Sequence, residues 1–449
     1  MNSPALMTDL YQLTMAAAYF KSNRTAPATF SLFVRAYPIH RGYFVSAGLE
    51  DVLDFLELFR FSPDDLEYLA GLKRFSQDFL SFLEHLRFTG DVFAISEGRL
   101  FFKDEPVIEI TAPIIEAQLA ESMIINIMNL SVSVSTKAAR CVHASGGLDL
   151  IDFSMRRTHG TDAALKVARS SYLAGFEGTS NVMAGKKYRI PVSGTMAHSF
   201  VMSFDAEADA FRAFADTFPD STVLLIDTYD TAEGARKAAI VARELAERGH
   251  NLTGVRLDSG DMAELSKEVR NILDEAGWKN VRIFASGNYD EYKLAEVLDR
   301  GAKIDAFGVG TKMGTSSDAP YTDMAYKLVQ YDGRPVLKLS TGKKTLVSEK
   351  QVFRKTAGNR MIGDVIALRN EEGEGESLLK QVMKGGIRQN RTESLEDIRE
   401  RFREEFSGLD EKYKAIRDPG NFPVTLSPKL ESLQQRAVEK INKRGRGEE

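Results

Sequence analysis

Between residues 148 and 311, short apolar runs alternate with amphipathic runs of helical length, and this alternation restricts the possible folds more than any other feature of the chain. The apolar runs are LDLIDF (148–153), FEGTSNVM (176–183), RIPVSGT (189–195), VLLIDT (223–228), LTGVRLD (252–258), NVRIFAS (280–286) and KIDAFGVG (303–310). Between them lie predicted helices at 161–174, 206–218, 232–248, 262–276 and 289–300, three of them stopped by Gly175, Gly249 and Gly301. Continuous apolar strands separated by glycine-stopped helices are what a parallel sheet covered by helices requires. The pattern fits a barrel, complete or not, and is also compatible with an open doubly wound sheet, because strand order is invisible in it. Polar residues favour the barrel. Almost every strand ends in residues able to do chemistry: Asp152 with Arg156 and Arg157, Ser180 with Asn181, Thr195 with His198, Asp227, Arg256 with Asp258, Ser286 with Gly287, and Gly308 through Thr311. A barrel gathers all these ends at one mouth, whereas an open sheet gathers two or three at its switch point.

The flanks read differently. Residues 1–125 mix helices, including the amphipathic region 63–86, with strand-like runs TFSLFVR (29–35), DVFAISEGRLFF (91–102) and VIEITAP (107–113). After residue 324, β patterning returns in MAYKLVQY, PVLKLS and KTLVS, with Asp332-Gly333 as a hairpin turn. A polar loop follows at 370–377, then an amphipathic helix carrying Leu395, Ile398, Phe402, Phe406, Leu409, Tyr413 and Ile416, interrupted at Gly408. The charged tail from Lys440 is expected to fray. The organisation expected is therefore a barrel at 126–323 carrying the active site, and a domain built from 1–125 with 324–449.

Of 449 residues, 43% are hydrophobic and 27% charged, which suits packed domains rather than a disordered or fibrous chain. With 59 Lys+Arg against 64 Asp+Glu, there is no basic field to hold nucleic acid or an anionic membrane surface. The single cysteine, Cys141, excludes an intrachain disulfide framework and a Cys-rich zinc site. The longest stretches without charge, 122–136 and 190–204, fall short of the roughly 18 apolar residues of a membrane span, and no secretory signal opens the chain, so a cytoplasmic location is expected.

Gly308-Val309-Gly310-Thr311-Lys312 offers backbone N–H groups and a hydroxyl to a phosphate, although a plain glycine turn would read the same. Alternation puts Arg256 and Asp258 on one side of their strand, as substrate contacts or as a structural ion pair or cap. Asp227 and Asp230 can meet a divalent ion or ribose, or Asp230 can cap the next helix. His198 is a catalyst or a satisfied core histidine, and the other histidines lack metal-site spacing. No GxSxG, Walker A or kinase motif occurs. Together these residues describe a mouth for a phosphorylated, magnesium-bound sugar.

In order along the chain, TDLYQLTM (8–15), FVRAYP (33–38), GYFVSAGLEDVLDFL (42–56), TKAAR (136–140), DFSMRRTHG (152–160), GTSNV (178–182), SGTMAHSFV (193–201), LIDTYDT (225–231), GVRLDSGD (254–261), ASGN (285–288) and FGVGT (307–311) resemble nicotinate phosphoribosyltransferases. GTMAHS and VRLDSGD are the most specific of these. The resemblance implies an α/β fold, with an irregular (β/α) barrel beside an α/β domain formed by the N- and C-terminal segments. It also implies a homodimer with shared active sites. The implied reaction joins nicotinate to 5-phosphoribosyl 1-pyrophosphate, with Mg2+ as cofactor and ATP as co-substrate, in NAD biosynthesis. His198 is implied as a phosphohistidine. Thr195, Arg256 and Tyr11 are implied as nicotinate contacts, with Tyr11 and Asp9 coming from the neighbouring subunit. Arg156, Asp227 and Asp258 are implied around ribose, pyrophosphate and metal, and Gly287, Gly308, Gly310 and Thr311 around the 5-phosphate, with Arg35 and Lys327 as helpers. Ser180 stands where a nicotinamide-using relative has an aspartate, which favours the acid substrate. The quinolinate-using relative lacks the histidine motif.

Overall fold

The structure, a computed structural model, describes residues 4–339, 345–389 and 391–445. The chain divides into one unit formed by Met1–Ser133 with Tyr321–Glu449 and a second formed by Val134–Pro320. The first boundary falls inside the helix Glu121–Ala144, so no change of composition marks it. Among the described residues, no helix is long and apolar enough to cross a membrane.

In the second unit, β1 (Asp149–Asp152), β2 (Gly178–Thr179), β3 (Val223–Leu225), β4 (Gly254–Leu257), β5 (Arg282–Ser286) and β6 (Ala306–Val309) form one parallel sheet. Its order is β2-β1-β6-β5-β4-β3. The last strand therefore pairs with the first, from Ala306↔Asp149 to Val309↔Asp152. This pairing rolls the sheet toward a cylinder, whereas a doubly wound sheet leaves its last strand at an edge. Pairing is interrupted between β2 and β3, where a single bridge joins Thr179 to Val192, and this makes the barrel irregular.

Two expected strands shrink at that interruption. The run 189–195 supplies only the Val192 bridge: Pro191 has no N–H for a ladder, and Arg189 turns the chain at φ 59°. The run 176–183 yields two strand residues, because Asn181 accepts a hydrogen bond from the Ala184 amide at 3.2 Å and starts the helix Val182–Tyr188.

Aspartates start the later helices in the same manner. Asp230, Asp261 and Asp290 accept hydrogen bonds from the amides of Glu233, Ala263 and Lys293 and begin helices Thr231–Glu247, Met262–Glu275 and Glu291–Asp299. Asp230 and Asp261 each lie three residues beyond a strand-end aspartate, Asp227 and Asp258 respectively. The second member of each pair builds the helix, and the first is left at the barrel mouth.

The first unit rests on an antiparallel sheet interleaved from both chain ends. Pro27–Val34 lies between Ile108–Pro113 and Met324–Tyr331, and Asp91–Ile95 lies between Ile108–Pro113 and Leu379–Lys384. The core of this unit includes Phe30, Leu32, Val34, Ile108 and Ile110. Asp332 and Gly333, both at positive φ, make the hairpin from Tyr331 to Arg334, as expected of a two-residue turn. The expected strand at 335–340 contributes only Pro335 to a ladder, and residues 340 and 344, at the ends of PVLKLS and KTLVS, lie outside the described residues. The tail does not fray where expected: the helix Pro428–Gly445 runs through Lys440, and 446–449 lie outside the described residues.

The TKAAR segment has a packing role within the second unit. Lys137 and Arg140 are fully buried and converge on Glu291, with Lys137 Nζ 2.5 Å from Oε2 and Arg140 Nε 2.8 Å from Oε1, and Lys137 also reaches Asp318 at 2.7 Å. Removing one partner from such a cluster strands buried charge. Replacing Glu291→Ala is therefore expected to lower stability by about 3–5 kcal/mol in urea unfolding followed by tryptophan fluorescence, with Glu291→Gln intermediate.

Candidate active site

The C-terminal ends of β1, β2, β4 and β5, together with the segment before the short helix His198–Met202, border a cleft of about 350 Å3. Arg156, Ser180, His198, Arg256, Asp258 and Ser286 line it, with Phe153, Met155 and Met196 as apolar wall. Arg256 on β4 and Asp258, just past its end, both face the cleft, as the alternation in the sequence suggests.

Asp227 joins two strand ends. Its Oδ2 accepts hydrogen bonds from the Asp258 amide, the Ser259 amide and the Ser259 hydroxyl, each at 2.8 Å. Three donors on one carboxylate oxygen fix the turn after β4 relative to the end of β3. Asp258 is held at its other end too, because the Ser286 hydroxyl donates to its Oδ1. Its Oδ2 lies 3.9 Å from Nε2 of His198, and Nδ1 of His198 lies 3.1 Å from the hydroxyl of Thr228. Arg256 donates from Nη2 to the Met196 carbonyl at 2.7 Å, and burial pulls its guanidinium below its ordinary pKa, with Asp258 and Asp227 opposing the shift.

Three buried polar atoms here have no hydrogen-bond partner among the described residues: Arg256 Nε, Thr195 Oγ1 and Asp227 Oδ1. An unmade bond of this kind costs about 1–3 kcal/mol, so three in one place mark a surface shaped for something other than the protein itself. Asp152, by contrast, is fully used inside the chain, accepting from the Ser154 amide and the Thr179 hydroxyl at 2.8 Å each, and it belongs to the fold.

The glycine segment at the end of β6 sits beside this cleft without lining it. Gly308 is in register with Ser286, and a Cβ at Gly308 would meet the Phe153 ring at 2.5 Å. A Cβ at Gly310 would meet the Phe153 carbonyl oxygen at 3.0 Å. Thr311 opens a four-residue helix, and Lys312 turns to Asp290 at 2.8 Å. Close packing on Phe153 thus accounts for both glycines, and sequence reading missed that aromatic ring.

Four expected site residues lie in the first unit. Asp9, Tyr11 and Lys327 gather around Glu121 and Ser122: Gln12 donates to both the Tyr11 hydroxyl and Glu121, Lys327 stands 3.7 Å from Glu121, and Ser122 donates to Asp9. Partial burial, with Glu121 and Asp9 nearby, raises the Tyr11 phenol above its ordinary pKa. Arg35 stands apart, paired with Asp323 at 2.6 Å.

Gly287 follows β5 at φ 120°, and a Cβ there would lie 2.5 Å from the Asp258 carbonyl oxygen. Gly287→Ala is expected to cost about 1–3 kcal/mol and to move Asp258. Gly277→Ala, at φ 89° with open space around it, controls for backbone strain alone. The measurement is thermal unfolding of both variants, and an equal loss would remove the steric argument.

The chain matches three family profiles: the nicotinate phosphoribosyltransferase (NAPRTase) N-terminal domain over residues 6–129, the NAPRTase family over 148–365 and the NAPRTase C-terminal domain over 372–434. It is 47% identical over 429 residues to a nicotinate phosphoribosyltransferase of Mycobacterium tuberculosis, covering 95% of this chain and 92% of that one. Over 476 residues it is 37% identical to the Bacillus subtilis nicotinate phosphoribosyltransferase, covering 99% and 97%. The crystal structure of human nicotinic acid phosphoribosyltransferase superposes with a TM-score of 0.86 at 28% identity, covering 96% of this chain and 99% of that one. With all three regions matched and close relatives aligned over nearly its whole length, the chain belongs to the nicotinate phosphoribosyltransferase family.

Proposed function

We propose that the chain joins nicotinate to 5-phosphoribosyl 1-pyrophosphate, releasing nicotinate mononucleotide and pyrophosphate, and couples this to ATP hydrolysis through phosphorylation of His198. Such a reaction would supply NAD biosynthesis from nicotinate. The observation that carries the reading is the half-buried Arg256 guanidinium at the cleft, whose buried Nε has no partner among the described residues. A half-buried cation with an unused donor suits a substrate carboxylate, which it can meet in a charge-assisted hydrogen bond. Ser180 on the same cleft adds no negative charge, so the acid is not repelled as it would be by a carboxylate at that position.

In this reading, Arg256 and Thr195 orient nicotinate, while Tyr11 and Asp9 of a neighbouring subunit in a homodimer close over the ring. The pyridine nitrogen is already nucleophilic and needs no general base. It forms the C1–N bond as the C1–O bond to pyrophosphate breaks, so the protein contributes alignment and charge. Arg156, Asp258 and Asp227 surround the ribose and pyrophosphate. Gly287, Gly308, Gly310 and Thr311 receive the 5-phosphate, with Arg35 and Lys327 assisting. Among the described residues no group of three or more His, Cys, Asp or Glu side chains is placed to hold a metal. Asp227, whose Oδ1 has no partner among the described residues, would be the protein contact for a magnesium ion carried largely by substrate phosphates, and such an ion would supply positive charge against the pyrophosphate. ATP phosphorylates His198 by transfer of its γ-phosphoryl group, with ADP as leaving group.

The test is product formation from nicotinate, nicotinamide or quinolinate with phosphoribosyl pyrophosphate and magnesium, with and without ATP. Nicotinate alone is expected to react, faster or further with ATP, and His198→Ala to lose the ATP effect. Ser180→Asp is expected to lower kcat/KM for nicotinate by about 100-fold. Preference of the unmodified protein for the amide would overturn the substrate assignment, and an unchanged ATP effect in His198→Ala would overturn the coupling assignment.

A further inference from the structure

We propose that Thr228 is a positioning residue for His198: its hydroxyl donates to Nδ1, fixes the ring as the Nε2–H tautomer and leaves the Nδ1 lone pair as the phosphoryl acceptor. The proposal rests on the phosphohistidine reading above. Thr228 Oγ1 lies 3.1 Å from Nδ1, and Asp258 Oδ2 lies 3.9 Å from Nε2 on the other side of the ring. Asp258 is itself immobilised, by the Ser286 hydroxyl at Oδ1 and by Asp227 at its amide. At 3.9 Å this contact is electrostatic rather than a hydrogen bond, and a carboxylate there favours the proton on the ring nitrogen that faces it. The opposite nitrogen then presents a lone pair to Thr228, whose hydroxyl can donate.

Packing does not supply this orientation. The His198 side chain is 39% exposed, and the terminal torsion of a histidine has two broad wells that exchange its nitrogens. Thr228 has no capping duty either, since the following helix is capped by Asp230. During transfer, the Nδ1 lone pair forms the N–P bond as the P–O bond to ADP breaks, its electron pair leaving with ADP. The Nε2 proton stays beside Asp258, which offsets the charge of the ring, and the Thr228 hydroxyl passes from Nδ1 to a phosphoryl oxygen.

The experiment compares Thr228→Val, which keeps the shape and loses the hydroxyl, with Thr228→Ser, which keeps the hydroxyl. Incorporation of 32P from γ-labelled ATP is read beside the 15N signals of His198 and turnover with and without ATP. Thr228→Val is expected to slow phosphoenzyme formation about tenfold and to shift the 15N signals from one Nε2–H tautomer toward an exchanging mixture, with turnover lacking ATP changed less than about twofold. Thr228→Ser is expected to restore both readouts to within about twofold. Wild-type phosphorylation and unchanged 15N signals in Thr228→Val, or phosphate on Nε2, would overturn the proposal. If the unmodified protein takes up no phosphate that His198→Ala removes, the phosphohistidine reading falls, and the 15N signals, which need no ATP, still decide whether Thr228 sets the tautomer.

Discussion

One carboxylate oxygen, Oδ2 of Asp227, organises the mouth of the barrel. By accepting two amides and a hydroxyl from Asp258 and Ser259, it locks the end of β3 to the turn after β4. Strand pairing alone would leave that turn mobile, because the ladder between β3 and β4 stops at Leu225↔Arg256. With the turn fixed, Asp258 reaches Ser286 on β5 and faces His198, while Arg256 closes onto the Met196 carbonyl. Four segments distant in sequence thereby share one polar network, and a charge-assisted carboxylate with several donors is well suited to hold it.

The same residue type serves two ends by position. Asp230 and Asp261 begin helices, and Asp227 and Asp258, three residues earlier, stay at the mouth. Glycine is used for close approach: Gly287 lets the end of β5 pass the Asp258 carbonyl, and Gly308 makes room for the Phe153 ring. The unpartnered atoms of Arg256, Thr195 and Asp227 are what remains after these internal bonds are made, and they define where a ligand is needed.

Much of the barrel is legible in the sequence because its strands are short apolar runs between capped helices, a pattern set by local chemistry. The weak run at 189–195 is misleading because apolar content suggests a strand while Pro191 removes the ladder donor. The first unit is less legible, since its central strand Pro27–Val34 pairs with Met324–Tyr331 from the far end of the chain, and no local signal carries such a pairing. Arg256 and Asp258 share a side by strand alternation, and that could be read directly. The role of Lys137 and Arg140 could not, because a buried ion pair and a surface charge look alike until Glu291 is brought to them. Thr228 and Phe153 stand within the matching stretches LIDTYDT and DFSMRRTHG but have no role legible there, and only the fold gives them a place. Tyr11, Asp9, Arg35 and Lys327 were suggested by family resemblance alone, and the structure sets them in the first unit with partners of their own.

In the proposed reaction the cleft around Arg256 receives the pyridine carboxylate while Asp227 and Asp258 receive the ribose. A crystal structure of the protein with nicotinate mononucleotide tests it most directly. The carboxylate is expected within hydrogen-bond distance of the Arg256 guanidinium and Thr195 Oγ1, with the ribose against Asp258. A nucleotide bound elsewhere, or bound in this cleft with its carboxylate in solvent and Arg256 Nε still without a partner, would contradict it.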